Sequence, residues 1–374
     1  MSPFGVVIGV ASEFKKLKTV KMVENKDKKE PFWTNRRNLI KTGGVTSVAG
    51  VAGCLGGGSE GEVDGSNGGF SPDSTVRVII PYGEGGGSDT YARGTQDAFQ
   101  NEIGQDLQFD FVTGAGGLNG LGELYASEPD GQTIGHNSGP LEATPQLLQD
   151  PGFDIRDLSG IGVFGLSTWV VVVNEEYEDE VQTFEDVLEK YETGEWSSVG
   201  VQPPGSSPDI IALLCRYELD EIDWQWENRV QYDGTGAAVQ GTATGDVPCS
   251  IVTDSGAASG VEDGTVYPVT TFDSSGTGVY PDVSTIVDEG YPEIDFIGGV
   301  WRAMWLPPET PDEIVNFYAD ALEATVESED VQNWVEETGN PVTFEGPEET
   351  NQRYIDAFEQ FQELEILDLV EEHE

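Results

Sequence analysis

Basic residues are nearly absent from the main part of this sequence. Past Cys54 there is one lysine, Lys190, and seven arginines, against 65 acidic residues, a net charge of −57. That balance excludes a nucleic-acid partner, because phosphates are neutralised by Lys and Arg. Three cysteines and two histidines in 374 residues leave little material for a structural zinc site. Long apolar runs are missing too: the stretch from Thr42 to Gly53 is too short and too Gly-rich to cross a bilayer as a stable helix. Hydrophobic residues make up 37%, which is low but more than a wholly disordered chain carries. The length suffices for two domains, each with a core of its own.

What is present is acid, spread along the whole chain rather than gathered in one tail. Such a surface repels itself at ordinary ionic strength. Molar salt shortens the Debye length to about 3 Å and screens most of that repulsion. The composition therefore reads as that of a protein from a very salty environment, as in halophilic archaea. The first 53 residues differ: they hold ten of the 18 basic residues and only four acids. Within them Arg36-Arg37-Asn38-Leu39-Ile40-Lys41 resembles a twin-arginine export signal. Val51-Ala52-Gly53-Cys54, at the end of the apolar stretch, resembles a lipobox, whose cysteine becomes a lipid-modified N-terminus. In that order and spacing the two motifs imply export in the folded state and a lipid anchor at Cys54 on the outer face of the cell membrane. Met1 and Met22 are both candidate starts.

Residues 54–71 are mostly Gly, Ser, Glu, Asp and Asn, a flexible tether. Gly57-Gly58-Ser59-Glu60-Gly61 formally matches a nucleophile elbow, but neither the strand nor the helix that the elbow needs flanks it. From Pro72 the pattern changes. Val76 to Ile80 is a β-branched run ended by Pro81, a buried strand. The Gly-rich loop Gly83–Ser88 follows, then a helix with Tyr91, Thr95, Phe99 and Ile103 on one face and Ser88 as its N-cap. Strand, Gly-rich loop and helix start form an anion cradle or a tight turn. The loop is neither a Walker A motif, since no Lys follows, nor a dinucleotide fingerprint, since the Gly spacing differs. A strand over 107–112 leads to Thr113-Gly114-Ala115-Gly116-Gly117, whose backbone amides can converge on an anion, and Pro129-Asp130-Gly131 turns into a third strand.

These segments carry a resemblance. Pro81 to Asp89, Gly114 to Gly117 and Pro129-Asp130-Gly131 resemble three signature segments of the Bug family, the substrate-binding proteins of tripartite tricarboxylate transporters. Tyr232-Asp233-Gly234 to Pro248, Tyr280 to Pro292, and Trp301-Arg302 to Pro311 resemble three later ones. The match runs in order from about Val76 to about Phe361. Pro248 stands where the family has Asp, Ala303 where it has Gly, and Pro203-Pro204-Gly205-Ser206-Ser207-Pro208 replaces a loop that ends in Pro-His.

The resemblance implies an α/β fold of the type II periplasmic-binding-protein kind, a Venus flytrap of two domains joined by crossing hinge strands. The domains fall at 72–173 with 295–374, and at 174–294. The residues support such units independently: strand-like runs at Val170–Val173, Ser198–Val201, Ile251–Thr253 and Tyr267–Thr271 alternate with helices. Among the helices, one starts at Thr183, one is capped by Ser207 with Pro208 at its first turn, and one has a capping box at Thr310–Glu313. The implied ligand is a small carboxylate, held largely by backbone amides and ordered water, with no cofactor and no metal. A dicarboxylate is expected first, then a tricarboxylate or an aromatic acid. The implied partners are the large and small integral membrane subunits of a transporter, with the receptor itself a monomer.

Candidate ligand residues are Gly86, Gly87, Ser88 and Asp89 in the first loop, Gly116, Gly117 and Leu118 in the second, and Ser206 and Ser207 at a helix start in the inserted domain. Asp254 matches a site-facing Asp of the family; like Asp89 it also fits a cap. Arg302 is the candidate direct charge partner, or a structural partner of one of the many acids. Tyr82 and His136 are candidates for the cleft wall or for ordinary packing. Two other functions compete. A receptor of the same fold could signal rather than transport. An esterase using Ser88 would need His136 as its base, because His373 lies one residue from the end of the sequence. Cys215 and Cys249 form a disulfide or remain two buried thiols.

Overall fold

A computed structural model of the chain describes residues 69–219, 221–363 and 366–373. The export motif, the lipobox cysteine and nearly all of the tether lie outside the described residues.

The chain opens with β1 (Val76–Ile80), α1 (Gly87–Ile103), β2 (Leu107–Phe111), α2 (Leu118–Tyr125), β3 (Thr133–Gly139), α3 (Ala143–Gln149) and β4 (Ser159–Asn174). A middle section follows: α4 (Phe184–Glu192), β5 (Ser198–Val201), α5 (Ser207–Leu213), β6 (Asn228–Gln231), α6 (Thr235–Ala243), β7 (Cys249–Thr253), α7 (Asp254–Glu262), β8 (Val266–Thr271) and β9 (Ser284–Thr285). The last section is β10 (Gly299–Leu306), α8 (Asp312–Glu327), α9 (Glu329–Thr338), β11 (Val342–Glu345), α10 (Pro347–Glu363) and α11 (Ile366–His373).

The sheets follow from the β-branched runs. β1 pairs in parallel with β2 and β3, and β10 lies antiparallel between β3 and β4. β4 is the long member, 16 residues, roughly 50 Å when extended. Its first part, Ser159 to Thr168, pairs with β10, and β11 adds to it there. From Trp169 to Asn174 it changes partners and lies between β7 and β8. β5 pairs in parallel with β7 and with β6, and β8 in parallel with β9. The strand expected at Val170–Val173 is thus the second half of a strand that passes from one set of partners to another.

Alternation along β4 ties the core together. Trp169, Val171 and Val173 join a large apolar cluster with α4, α5 and β5, while Val170 and Val172 face α6 and α7. All five are fully buried, as expected of a strand covered on both faces. A third cluster packs Tyr91, Phe99 and Ile103 of α1 and Tyr318 and Leu322 of α8 against Val76, Val78 and Ile80 of β1.

Local cap readings hold in part. Thr183 and Asp186 form the full reciprocal capping box of α4, worth about 1 kcal/mol. The box expected at Thr310–Glu313 does not form: the Thr310 hydroxyl donates to the Pro307 carbonyl, and a Glu313 carboxylate oxygen accepts from the Phe70 amide. The N-cap of α5 is Ser206, one residue before the expected Ser207. That of α1 is Gly86, two before the expected Ser88. Cys215, in a π-helical turn after α5, and Cys249, at the start of β7, are free buried thiols, and Cys249 Sγ meets the Tyr191 hydroxyl at 3.2 Å.

Candidate functional site

Two adjoining cavities lie where β1, β3, β10 and the loops before α1, α5 and α6 meet. One, with about 300 Å³ of empty space counting its opening to solvent, is lined by Tyr82, Gly83, Gly86, Gly87, Ser88, Ser138, Leu141, Trp169, Gln202, Thr235, Thr253 and Arg302. The other, with about 400 Å³ counted the same way, is lined by Pro81, Tyr82, Gly114 to Gly117, Leu141, Gln202, Pro203, Ser206 and Asp233. Tyr82, Leu141 and Gln202 belong to both.

The first cavity gathers helix starts. Gly86 to Ser88 begin α1, Thr235 is the first residue of α6, and Thr253 is the N-cap of α7. First-turn amides have no intrahelical acceptor, and the dipole adds positive potential at each start. Three such ends therefore face one small space. Arg302 stands among them, 1% exposed. Its guanidinium donates to four hydroxyls: Ser138 Oγ and, at 3.3 Å, Ser88 Oγ through one nitrogen, and Ser167 Oγ and Ser255 Oγ through the other, both at 3.1 Å. Its carbon lies 4.9 Å from the centre of the Tyr91 ring. Nε has no partner, and no carboxylate lies within ion-pair distance among the described residues. Burial pushes the guanidinium below its ordinary value, and Tyr91 and then Asp254 act against that. A buried cation held by neutral hydroxyls is costly unless an anion completes it.

Gly87 is required by this packing. A Cβ there would stand 2.2 Å from an Arg302 nitrogen and 2.5 Å from Ser255 Oγ. The second loop needs glycine for its conformation: Gly114, Gly116 and Gly117 have φ of 110°, 63° and 95°. A Cβ on Gly117 would also press on Glu142 Cγ at 3.1 Å and on the Tyr82 hydroxyl at 3.3 Å.

The loops before α1 and α5 are built alike. In each, a glycine with positive φ, Gly85 or Gly205, donates its amide to the Asp four residues on, Asp89 or Asp209, at 2.9 and 3.0 Å. Each Asp is ion-paired in turn, Asp89 with Arg93 and Asp209 with Arg229. The acids are thereby spent on holding the loops.

The sequence-derived candidates fall into two groups. Tyr82, Gly86, Gly87, Ser88, Gly116, Gly117, Ser206 and Arg302 line the cavities. Asp89, Leu118, His136, Ser207 and Asp254 are not among the lining residues. Leu118 is the first residue of α2 and is buried. Asp254 is buried and occupied: one oxygen accepts from the Ser255 amide at 2.6 Å and the other from the Thr277 hydroxyl at 2.8 Å, and burial raises its pKa. His136 lies in β3 with its ring edge-on to Phe164, and burial, with help from Arg302, lowers it to about 3, so it stays neutral. The Ser88 hydroxyl pairs with Ser138 Oγ at 2.8 Å and with Arg302, not with His136, so the geometry does not assemble the esterase pair.

Other lining residues escaped the sequence reading. Trp169, Gln202, Thr235, Thr253, Ser138 and Leu141 line the first cavity. Thr253 adjoins Asp254, and Thr235 follows the Tyr232-Asp233-Gly234 segment, so both were within reach. Trp169 lies just before the strand expected at Val170–Val173, and Ser138 lies in the strand expected after Pro129-Asp130-Gly131. The Trp169 indole N–H and the Ser206 hydroxyl are buried without a partner and border the cavities. No cluster of metal-ligating side chains occurs among the described residues.

A family model described as the tripartite tricarboxylate transporter family receptor matches residues 91–364. An Agrobacterium vitis protein, the UPF0065 protein in the TAR-I ttuE-ttuC' intergenic region, is 28% identical over 262 residues, 68% of this chain and 72% of that one. The periplasmic binding protein BugD superposes with a TM-score of 0.71 at 19% identity, covering 78% of this chain and 97% of that one. MatC from Rhodopseudomonas palustris, solved with bound malate, gives 0.68 at 22% identity, covering 80% and 99%.

Proposed function

The chain belongs to the tripartite tricarboxylate transporter receptor family and has the two-domain periplasmic-binding-protein fold of its solved relatives, and from that premise we propose that it captures a small carboxylate and delivers it to the large and small membrane subunits of such a transporter. The lobes are residues 72–173 with 295–374, and residues 174–294, with β4 passing from one to the other and the segment before β10 returning. The protein is a monomer exported by the twin-arginine route, anchored through a lipid on Cys54, and adapted to molar salt.

One observation carries the ligand class. Arg302 is a buried cation with four hydroxyl partners and, among the described residues, no acid, beside three helix starts. A carboxylate placed there accepts charge-assisted hydrogen bonds from the guanidinium, the Gly87 and Ser88 amides and the Trp169 indole, each stronger than its neutral counterpart. Tyr82, Gly116, Gly117 and Ser206 supply the far wall. The malate bound by MatC belongs to the same chemical class.

The test is a thermal-unfolding screen at molar KCl against organic acids, amino acids and sugars. A ligand at 100 times its Kd stabilises the fold by about 2.7 kcal/mol. A shift with carboxylates supports the reading. A shift confined to sugars or cations sinks it.

A further inference from the structure

Behind the wall shared by the two cavities lies a buried acid that the sequence reading did not single out. Glu142, fully buried before α3, accepts hydrogen bonds from two tyrosines: Tyr82 on one oxygen, Oε1, and Tyr354 of α10 on the other, Oε2, at 2.8 Å. The polarity of the Tyr354 side is fixed from outside. Trp305 Nε1, which can only donate, gives its hydrogen to Asn137 Oδ1 at 2.7 Å. That orients the amide, so Asn137 Nδ2 donates to the Tyr354 oxygen, and Tyr354 must spend its own hydrogen on Glu142. Oε2 is therefore always an acceptor. A proton on Glu142 can sit only on Oε1, facing Tyr82.

The consequence reaches the cavity. With Glu142 ionised, the Tyr82 hydrogen is committed to Oε1 and Tyr82 offers a ligand only lone pairs. With Glu142 protonated, Oε1–H donates to the Tyr82 oxygen, and the Tyr82 hydrogen is released toward the cavity. We propose that Tyr82, set by Glu142, is the specificity determinant for the far end of the ligand, so that the chain takes up a dicarboxylate together with one proton: one carboxylate on Arg302, the other accepting from Tyr82. This rests on the carboxylate-receptor reading above.

Balance is simple: one proton from solvent adds to Glu142, no covalent bond between heavy atoms changes, and the ligand's second negative charge enters with that proton. The groups facing Glu142 are Tyr82 from the loop after β1, Tyr354 from α10 and Arg302 from β10, while His136 of β3 is neutral. Burial raises Glu142 to about 7, so both states are accessible near neutrality. Glu142 acts through Tyr82 and is a positioning residue.

The experiment is calorimetry on the full chain at molar KCl with the straight-chain dicarboxylates from oxalate to adipate and their monoamides, from about pH 6.5 to about pH 8.5. Wild-type dicarboxylate affinity falls about tenfold per pH unit above neutrality, with uptake of about one proton per ligand read from buffers of different ionisation enthalpy. The monoamides lack that slope. Glu142→Gln donates permanently to Tyr82 and so keeps the tight, low-pH affinity across the whole range. Tyr82→Phe is weak and flat. Dicarboxylate binding without a pH slope, or a slope that survives Glu142→Gln, overturns the proton linkage and leaves the receptor reading standing. Binding of monocarboxylates alone does the same. If no acid binds at any pH, the receptor reading falls and this inference with it.

Discussion

Replacing Arg302 with methionine separates stability from binding, and the structure sets the sign of each. A buried ion without a counter-ion costs several kcal/mol even after relaxation, and the Tyr91 ring returns about 2 kcal/mol of that. The four hydroxyls do not become orphans when the guanidinium is removed. Ser88 Oγ already lies 2.8 Å from Ser138 Oγ, and Ser167 Oγ lies 3.0 Å from Ser255 Oγ, so each pair satisfies itself. Methionine fills much of the same volume. The ligand-free Arg302→Met protein is therefore expected to be at least as stable as wild type, by up to about 2 kcal/mol, a Tm rise of roughly 4 °C. Carboxylate binding loses about 3 kcal/mol, roughly 150-fold in Kd. Thermal unfolding at molar KCl, with and without the acid found in the screen, reads both quantities. Destabilisation by more than about 3 kcal/mol with affinity retained would refute the reasoning, because Arg302 would then be a structural support completed by the chain itself.

Three other outcomes are expected. Glu142 is held near 7 in the folded state against an ordinary 4.5. Its contribution to stability is full below about pH 4.5, is lost as pH rises to 7, and stays lost above. That loss is about 3 kcal/mol, and Glu142→Gln removes this part of the pH dependence in urea unfolding at about pH 5 and about pH 8; an unchanged difference between the two pH values counts against the assignment. The net charge of −57 beyond Cys54 makes Tm climb steadily between about 0.1 and 2 M KCl as the Debye length shrinks from about 10 Å toward 3 Å; a flat profile removes the basis for salt adaptation. Cys215 and Cys249 react with a thiol reagent only on unfolding, since burial raises both, Cys249 to about 12; rapid labelling of the native protein contradicts the packing.

Much of the site's scaffold was legible along the chain because it is local. The strand ended by Pro81, the Gly-rich second loop and the helix start at Thr183 depend on residues a few positions apart. Caps at Ser88 and Thr310 were misplaced for a tertiary reason. Ser88 spends its hydroxyl on Ser138 and Arg302, and Glu313 is drawn to the Phe70 amide. In both a distant partner outcompeted the local one, whereas Ser207 lies one residue inside α5 with its hydroxyl buried and unpartnered.

The amino-acid sequence by itself determined the acidic surface, the first three strands with the helix after β1, and the Gly-rich loops whose backbone amides can meet an anion. These follow from composition, periodicity and turn chemistry, which act within a few residues. Only the tertiary structure decided that Arg302, in a chain so rich in acid, has four serine hydroxyls as partners, one of them 214 positions away, and no carboxylate among the described residues. It alone decided that Glu142 is sealed between Tyr82 and Tyr354, the latter 212 positions away. Burial and the exclusion of counter-charges are properties of a closed packing, and no local pattern in the sequence encodes them.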